Sequence, residues 1–214
     1  MAGNKWFISD LHLGHNKIAA LREYVSTEAH DIAVIQGLQI VPNKDILYIL
    51  GDCFMNPKGD EAKQYMDQIP CEDIRLIKGN HDQIDGVKGI GGLFSYVYDS
   101  KMVKICGHNT WLHHYPTAYW PESHTGAFHL YGHVHGGREA DLNRMMPGRR
   151  SMDVGVDRAM LHFEHPPMPF CDEYVYEMLI NRPGHDAVKG ISIAEQDVRA
   201  RSDYELSYSN WHLW

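Results

Sequence analysis

Short apolar runs that end in polar residues recur along the chain as far as residue 157. Runs of four to eight residues that are apolar on both faces predict strands buried in the middle of a sheet. We interpret residues 95–99 and 101–107 as two paired neighbouring strands. The complete set of predicted strand segments is KWFIS (5–9), DILYILGD (45–52), IRLIKGNHD (74–82), SYVYD (95–99), KMVKICG (101–107), TWLHHYP (110–116), AFHLYGHVH (127–135) and RSMDVGVD (150–157).

The early strands alternate with segments of helical character. Residues 16–40 predict a helix that is broken near Ser26, and residues 58–69 predict a surface helix. Strands that first alternate with helices and then follow one another predict an α/β fold with mixed β-sheets.

The chain after residue 157 carries no motif that we can interpret. EHPPMPF (164–170) predicts a turn, and Ser192–Glu195 has the spacing of a capping box at the start of a C-terminal helix. The aromatic tail SNWHLW (209–214) is expected to pack on the domain. We expect a single domain over residues 1–214, with a core at about 5–157 and an extension at 158–214 that completes or caps it.

Composition and charge narrow the class of protein. A net charge of −8 disfavours binding of nucleic acid through a basic surface. We see neither an apolar run long enough to cross a bilayer nor a secretory signal, so we expect a cytoplasmic protein without membrane contact. The four cysteines are widely spaced without a C-x-x-C pair, which favours reduced thiols over a zinc ribbon. The oligomeric state is not indicated.

Chemically reactive residues concentrate at the ends of the predicted strands. If the strands continue through their polar ends, Asp10 and His12 share one face, as do His133 and His135, because side chains at i and i+2 point the same way. Single polar groups end the other strands: Asp52, Asn80 with His81, and His114. Since α/β sheets bind ligands at the carboxyl ends of their strands, these residues predict one convergent site.

The chain has 15 histidines, so position decides which of them are ligands. Alternation sends His113 and His114 to opposite faces, and we choose His114 because it precedes Tyr-Pro. The segment GVKGIGG (86–92) lacks the G-x-G-x-x-G spacing of a dinucleotide loop and is interpreted as a mobile loop beside the site.

Oxygen and nitrogen ligands without thiolate favour a divalent transition metal and argue against copper(I) or an iron–sulfur cluster. So many candidate ligands exceed what one ion needs and suit two ions about 4 Å apart that share a carboxylate. We expect manganese first, with iron, zinc, nickel or cobalt as alternatives. Binding needs ionised carboxylates and neutral imidazoles, so occupancy should fall in acid.

The ordered motifs Asp10-x-His12, Gly51-Asp52, Gly79-Asn80-His81-Asp82, His114 and Gly132-His133-x-His135 resemble the calcineurin-like metallophosphoesterase superfamily over residues 5–157. The pattern is most similar to small bacterial or phage phosphoesterases. The resemblance implies two mixed β-sheets packed as a sandwich flanked by helices. It also implies a dinuclear centre in which one ion is held by Asp10, His12 and His135, the other by Asn80, His114 and His133, and both by Asp52.

The implied activity is hydrolysis of phosphomonoesters or phosphodiesters of a small phosphorylated substrate, by attack of a hydroxide that bridges the two ions. His81 would face the substrate with Asn80 and assist the leaving group. Asp82 either orients His81 or serves as a supporting or turn residue. His15 either contacts the substrate phosphate or begins a surface helix.

Other functions remain open. One is a nuclease, with Arg138, Arg144, Arg149 and Arg150 as a local basic patch. Protein Ser/Thr phosphatases carry a motif similar to G-D-x-V-D-R-G. The corresponding segment of this chain reads GDCFMNPKG and lacks that arginine, which disfavours a protein phosphatase. A scaffold that has lost catalysis and a passive metal store are the non-enzymatic alternatives.

Overall fold

The computed structural model describes residues 3–85, 89–163 and 165–184. It confirms the predicted α/β fold with two mixed sheets. The strands are β1 (Lys5–Ile8), β2 (Ile46–Ile49), β3 (Asp73–Ile77), β4 (Tyr96–Tyr98), β5 (Ser100–Ile105), β6 (His108–His113), β7 (Phe128–Tyr131), β8 (Ser151–Asp153) and β9 (Phe170–Cys171).

One sheet has the strand order β4-β3-β2-β1-β9, and the other has the order β5-β6-β7-β8. In the first sheet β1 to β4 run parallel, and β9 is antiparallel to β1. In the second sheet β6, β7 and β8 are parallel, while β5 is antiparallel to β6. Parallel strands place their carboxyl ends at a common edge, and this edge carries the polar residues.

Alternation along the strands of the first sheet divides its side chains between two apolar cores. Ile8, Leu47 and Ile49 face a core formed with the helices that cover the sheet. Phe7 and Tyr48 face the other sheet, and their rings stack at 5.7 Å. Both faces of the strands are therefore buried, which explains why their sequences are apolar without alternation.

The helices are α1 (Asn16–Leu21), α2 (Thr27–Leu38), α3 (Asp60–Met66), α4 (Glu139–Met145), α5 (Val156–Phe163) and α6 (Asp172–Ile180). The predicted break near Ser26 is confirmed. The hydroxyl oxygen of Ser26 accepts a hydrogen bond from the backbone N–H of Ala29 at 3.0 Å, so this residue caps the N-terminus of α2.

The predicted pairing of residues 95–99 with 101–107 is wrong. Strand β4 pairs with β3 in the first sheet, whereas β5 pairs with β6 in the second. The chain passes from one sheet to the other at Asp99. Two consecutive strands with a short connection resemble a hairpin in sequence, and only packing assigns them to different layers.

The region after residue 157 contains structure that the sequence pattern did not predict. Strand β9 begins at Phe170, at the end of the predicted turn, and pairs with β1. Val175 and Leu179 of α6 enter the core between the sheets. The last predicted strand, 150–157, ends at Asp153, and α5 begins at Val156.

Three interpretations fall wholly or partly outside the described residues. They are the helix starting at 192–195, the tail at 209–214, and residues 86–88 of the glycine-rich segment. Within the described part of the chain, none of the helices combines the length and the apolar character that a membrane span requires.

Candidate metal centre

The predicted ligands lie in loops that follow the strands and not in the strands themselves. Strand β1 ends at Ile8, and Asp10 and His12 come after it. Strand β7 ends at Tyr131, before His133 and His135. The assumption that each pair shares a strand face is therefore wrong, although both pairs face the same region.

Left-handed backbone conformations turn these side chains inward. The φ angles are 56° at Asp10, 50° at His12, 53° at Asp52, 69° at His133 and 49° at His135. Such conformations cost about 1–2 kcal/mol each for residues other than glycine. They persist only where the surrounding structure imposes them, and such strain clusters at functional sites.

Hydrogen bonds between the two sheets impose this geometry. The backbone N–H of Ser9 donates to the carbonyl of Val154, and the N–H of Val156 donates to the carbonyl of Ser9, both at 3.0 Å. The backbone N–H of His133 donates to both carboxylate oxygens of Asp10, at 3.1 and 2.9 Å. The loop after β7 is thereby joined to the loop after β1.

Gly132 allows this close approach, and its replacement gives a first prediction. A Cβ atom there would lie 1.9 Å from Oγ of Ser9 and 2.3 Å from Oδ2 of Asp10. We expect Gly132→Ala to displace Asp10, to destabilise the fold by about 1–3 kcal/mol and to reduce metal content. Urea unfolding and elemental analysis measure both effects. Gly137→Ala is the matched control, because its Cβ would meet only the carbonyl of Val134 at 3.4 Å; equal behaviour of the two variants would contradict the prediction.

The side chains form two groups with converging ligand atoms. Cluster A consists of Asp10, His12 and His135, and cluster B consists of Asp52, His114 and His133. Within each cluster the ligand atoms lie within 4.8 Å of one another. The ligands of both clusters are carboxylate oxygens and imidazole nitrogens, a set that suits divalent transition metals.

Asp52 belongs to cluster B and also faces cluster A. Its Oδ2 atom is 3.9 Å from Nε2 of His12 in cluster A and 3.5 Å from Nε2 of His114 in cluster B. Its other oxygen, Oδ1, accepts a hydrogen bond from the backbone N–H of His81 at 2.9 Å. One oxygen is thus fixed by the protein, and the other faces imidazoles from both clusters.

The charge states of His12 and Asp52 match those of metal ligands. Burial and the neighbouring His135 lower the pKa of His12 to about 3, so its ring is neutral at physiological pH. Burial raises the pKa of Asp52, but hydrogen bonds from His114 and from the backbone of His81 outweigh burial and bring the pKa to about 2. Neutral imidazole and ionised carboxylate are the forms that bind a metal.

His12 provides the test of whether a metal fits. Both of its ring nitrogens are buried, and neither has a hydrogen-bond partner. An unpaired buried polar group costs about 1–3 kcal/mol. A cation bound between His12 and the carboxylates of Asp10 and Asp52 would remove that cost for one nitrogen, so the residues present fit a metal ion.

Asn80 and His81 follow β3 and lie on the exposed side of the clusters. The side-chain oxygen Oδ1 of Asn80 is 3.0 Å from Nε2 of His114 and 3.0 Å from Nδ1 of His133. The exposed ring of His81 has its centroid 5.8 Å from that of His12. Asn80 is thus placed with cluster B, and His81 at the rim.

Asp82 has a different environment from the one that an orienting role requires. Its carboxylate accepts hydrogen bonds from the backbone N–H groups of Gly79, Asp52 and Cys53, at 2.8 to 2.9 Å. These contacts connect the loops after β2 and β3. This geometry favours a role for Asp82 in holding the two loops together over a role in orienting His81.

The sequence leaves the roles of His15 and His113 ambiguous, and the structure distinguishes their environments. His15 caps α1, where its Nδ1 accepts a hydrogen bond from the N–H of Ile18 at 3.4 Å, and its ring contacts that of His12 edge-on. It therefore combines a helix-entry position with proximity to cluster A. His113 stacks on Trp111, whereas His114 is buried against the carbonyl of Leu50.

The sequence pattern did not identify the carboxylate and the guanidinium behind cluster A. Asp157 accepts a hydrogen bond from Nδ1 of His135 at 2.8 Å and forms an ion pair with the buried Arg22. Asp157 was visible only as the end of a predicted strand. Arg22 carried no signal, because a single arginine after a short helix is usually a surface residue.

Comparison with known proteins extends over most of the chain. The Gene 66 protein of Mycobacterium phage L5 is 29% identical over 183 residues, which cover 72% of this chain and 86% of the phage protein. An uncharacterized protein of Methanocaldococcus jannaschii is 26% identical over 156 residues, covering 71% of this chain and 81% of that protein.

The fold is also similar to that of a protein of unknown function from Aquifex aeolicus. The TM-score is 0.64 at 23% identity, with 82% of this chain and 99% of the other covered. The family model described as calcineurin-like phosphoesterase matches residues 4–188. The chain belongs to the calcineurin-like phosphoesterase family.

Proposed function

We propose that this protein is a dinuclear metal-dependent phosphohydrolase that cleaves small phosphomonoesters or phosphodiesters. The observation that carries the proposal is the position of Asp52. Its Oδ2 atom faces His12 of cluster A and His114 of cluster B at 3.9 and 3.5 Å. A carboxylate that faces ligands of two separate clusters is suited to be shared by two ions.

In this proposal the ligands divide as the resemblance to the metallophosphoesterase family implies. Asp10, His12 and His135 would hold one ion, Asn80, His114 and His133 would hold the other, and Asp52 would be shared between them. When bound, two divalent ions supply an activated water and neutralise charge on the phosphoryl oxygens. Manganese is our first choice, and iron, zinc, nickel and cobalt suit the same ligand set.

The chain itself contributes orientation and proton transfer. Asn80 orients the imidazoles of cluster B on its solvent-facing side. Its Oδ1 atom lies 3.0 Å from a ring nitrogen of His114 and 3.0 Å from a ring nitrogen of His133. The exposed imidazole of His81 donates a hydrogen bond or a proton to the leaving oxygen, a task that enzymes most often assign to histidine. His15, beside His12 at the rim, is a candidate contact for substrate phosphate.

The surface charges favour a small substrate over a nucleic acid. Arg149 is 1% exposed and pairs with Glu139, so it cannot contact a polynucleotide. Arg138 and Arg144 are exposed, but each forms an ion pair with Asp141. The basic patch on which a nuclease function would depend is thus reduced. Two bound dications would also leave the formal charge of −8 at about −4.

The direct test is metal reconstitution followed by a hydrolysis screen. We expect the metal-free protein to bind two Mn²⁺ per chain and then to hydrolyse p-nitrophenyl phosphate or bis(p-nitrophenyl) phosphate. Single-stranded DNA, tested in parallel, should be a poor substrate. Preferential cleavage of DNA would favour the nuclease alternative, and two bound ions without hydrolysis of any phosphoester would favour the non-catalytic scaffold.

A further inference from the structure

Arg22 is a buried cation with contacts to two parts of cluster A. It follows α1 directly and is 6% exposed. Its Nη2 atom donates to the backbone carbonyl of Asp10 at 2.8 Å, and its Nη1 atom donates to the carbonyl of Leu11 at 3.3 Å. The guanidinium therefore binds the backbone of the loop that carries Asp10 and His12.

The same guanidinium binds Asp157 through two hydrogen bonds. Nε of Arg22 donates to Oδ1 of Asp157 at 3.1 Å, and Nη2 donates to Oδ2 at 2.7 Å. The Oδ2 atom also accepts the hydrogen of Nδ1 of His135 at 2.8 Å. Because Nδ1 donates to a carboxylate, Nε2 of His135 is left as the free ligand nitrogen, 4.0 Å from Oδ1 of Asp10.

A further layer supports Arg22 from the other side. Its Nη1 atom is 2.9 Å from Nε2 of the buried His30, and Nδ1 of His30 is 2.7 Å from Oδ1 of Asp31. Oδ2 of Asp31 accepts a hydrogen bond from the backbone N–H of Gly14 at 2.9 Å. The network thus returns to the loop after β1, so its geometry is fixed at both ends.

Among the residues that the structure describes, cluster B has no equivalent arrangement. Nδ1 of the exposed His133 faces the side-chain oxygen of Asn80, and Nδ1 of His114 faces the backbone carbonyl of Leu50. Among the described residues, the carboxylate–guanidinium support therefore belongs to cluster A. A substitution in this pair should affect one ion and spare the other.

We propose that Arg22 and Asp157 are a positioning pair that fixes the tautomer and orientation of His135 together with the loop of Asp10 and His12, so that the cation site of cluster A is preformed. This inference rests on the proposed function, since it concerns one of the two ions proposed there. Partners of this kind behind a metal-binding histidine typically change metal affinity 10- to 100-fold.

The Asp157→Asn variant tests the pair. In one orientation of the new amide, its oxygen accepts from His135 and its NH₂ group faces Nε of Arg22. In the other orientation, the NH₂ group faces Nδ1 of His135 and Nη2 of Arg22. Two donors therefore face each other in either orientation. We expect the affinity for one Mn²⁺ per chain to fall about 10- to 100-fold, with the second ion bound as in the wild type. Isothermal titration measures this effect, and the absorption spectrum of the Co²⁺-loaded protein reports any change in coordination.

Asp73→Asn is the matched control. Asp73 accepts two hydrogen bonds from Arg75, at 2.8 and 2.6 Å, in a carboxylate–guanidinium pair outside both clusters. The Asp73→Asn substitution removes the same charge as Asp157→Asn and should leave both metal affinities and the Co²⁺ spectrum unchanged. Asp157→Glu restores the carboxylate and should recover part of the lost affinity. Thermal unfolding without metal separates an effect on folding from one on the ion.

The outcomes separate the two proposals. Two ions bound by Asp157→Asn with wild-type affinity and an unchanged Co²⁺ spectrum would overturn the positioning role and leave the proposed function intact. Equal loss of both ions, without recovery in Asp157→Glu, would show that the pair supports the fold in general and would also overturn it. A wild-type protein that binds no ion would overturn the proposed function and this inference with it.

Discussion

We expect Asp52→Asn to lose most phosphoesterase activity and to reduce bound metal below two ions per chain. In either orientation the amide fails, because NH₂ then faces the nitrogens of His12 and His114 or the backbone N–H of His81. The activity should fall by at least about a thousandfold, since the shared ligand supports several kcal/mol of transition-state stabilisation. Elemental analysis and steady-state hydrolysis of p-nitrophenyl phosphate measure the two effects.

A matched control separates loss of this carboxylate from loss of charge. Asp67, an exposed residue paired with Lys63, can be changed to Asn in the same way. Asp67→Asn should bind two ions and retain full activity. Wild-type metal content in Asp52→Asn would contradict the shared-ligand assignment, and the proposed division of ligands between two ions would then be wrong.

His81→Ala should separate catalysis from metal binding. The backbone N–H of residue 81, which donates to Asp52 at 2.9 Å, is retained in the variant, so both ions should stay bound. The rate should fall about 100-fold or more if the imidazole assists the leaving group. Hydrolysis rates and metal content, measured on the same preparation, give the two quantities.

The chemical signature of this role is its dependence on the leaving group. Phenyl phosphate has a poorer leaving group than p-nitrophenyl phosphate and needs more assistance, so its hydrolysis should be the more impaired of the two. His124→Ala removes another exposed histidine and should change neither rate. Equal rates for His81→Ala and the wild type would exclude the leaving-group role and leave the metal centre unaffected.

The polar ends of the apolar strands could be predicted because each depends on local sequence. Residues such as Asp52 and His114 interrupt runs that are otherwise buried, and a buried polar group requires a partner. The conformation of these residues could not be predicted in the same way. The φ of 53° at Asp52 results from hydrogen bonds to loops distant in sequence, including those from the backbone N–H groups of Asp52 and Cys53 to Asp82.

The predicted basic patch is a feature that the sequence indicates and the fold largely removes. Arg149 and Arg150 are adjacent in sequence, and this pattern predicts that both belong to a local basic patch. Arg149 is buried against Glu139 and Tyr131, while Arg150 donates to the backbone carbonyl of Arg182. Side-chain burial of an arginine depends on which acidic partner the fold brings near it, and local sequence carries no information about that partner.

The sequence by itself determined the class of fold and the chemical types of the candidate ligands, because apolar runs specify buried strands and each strand end specifies its own polar residue. The tertiary structure alone decided that β4 and β5 belong to different sheets, that left-handed backbone angles turn the ligands inward, and that Arg22 meets Asp157 across 135 residues of chain. The physical reason is that the hydrophobic pattern of a few neighbouring residues specifies the local strand or helix. Contacts between distant segments, in contrast, exist only after the layers have packed.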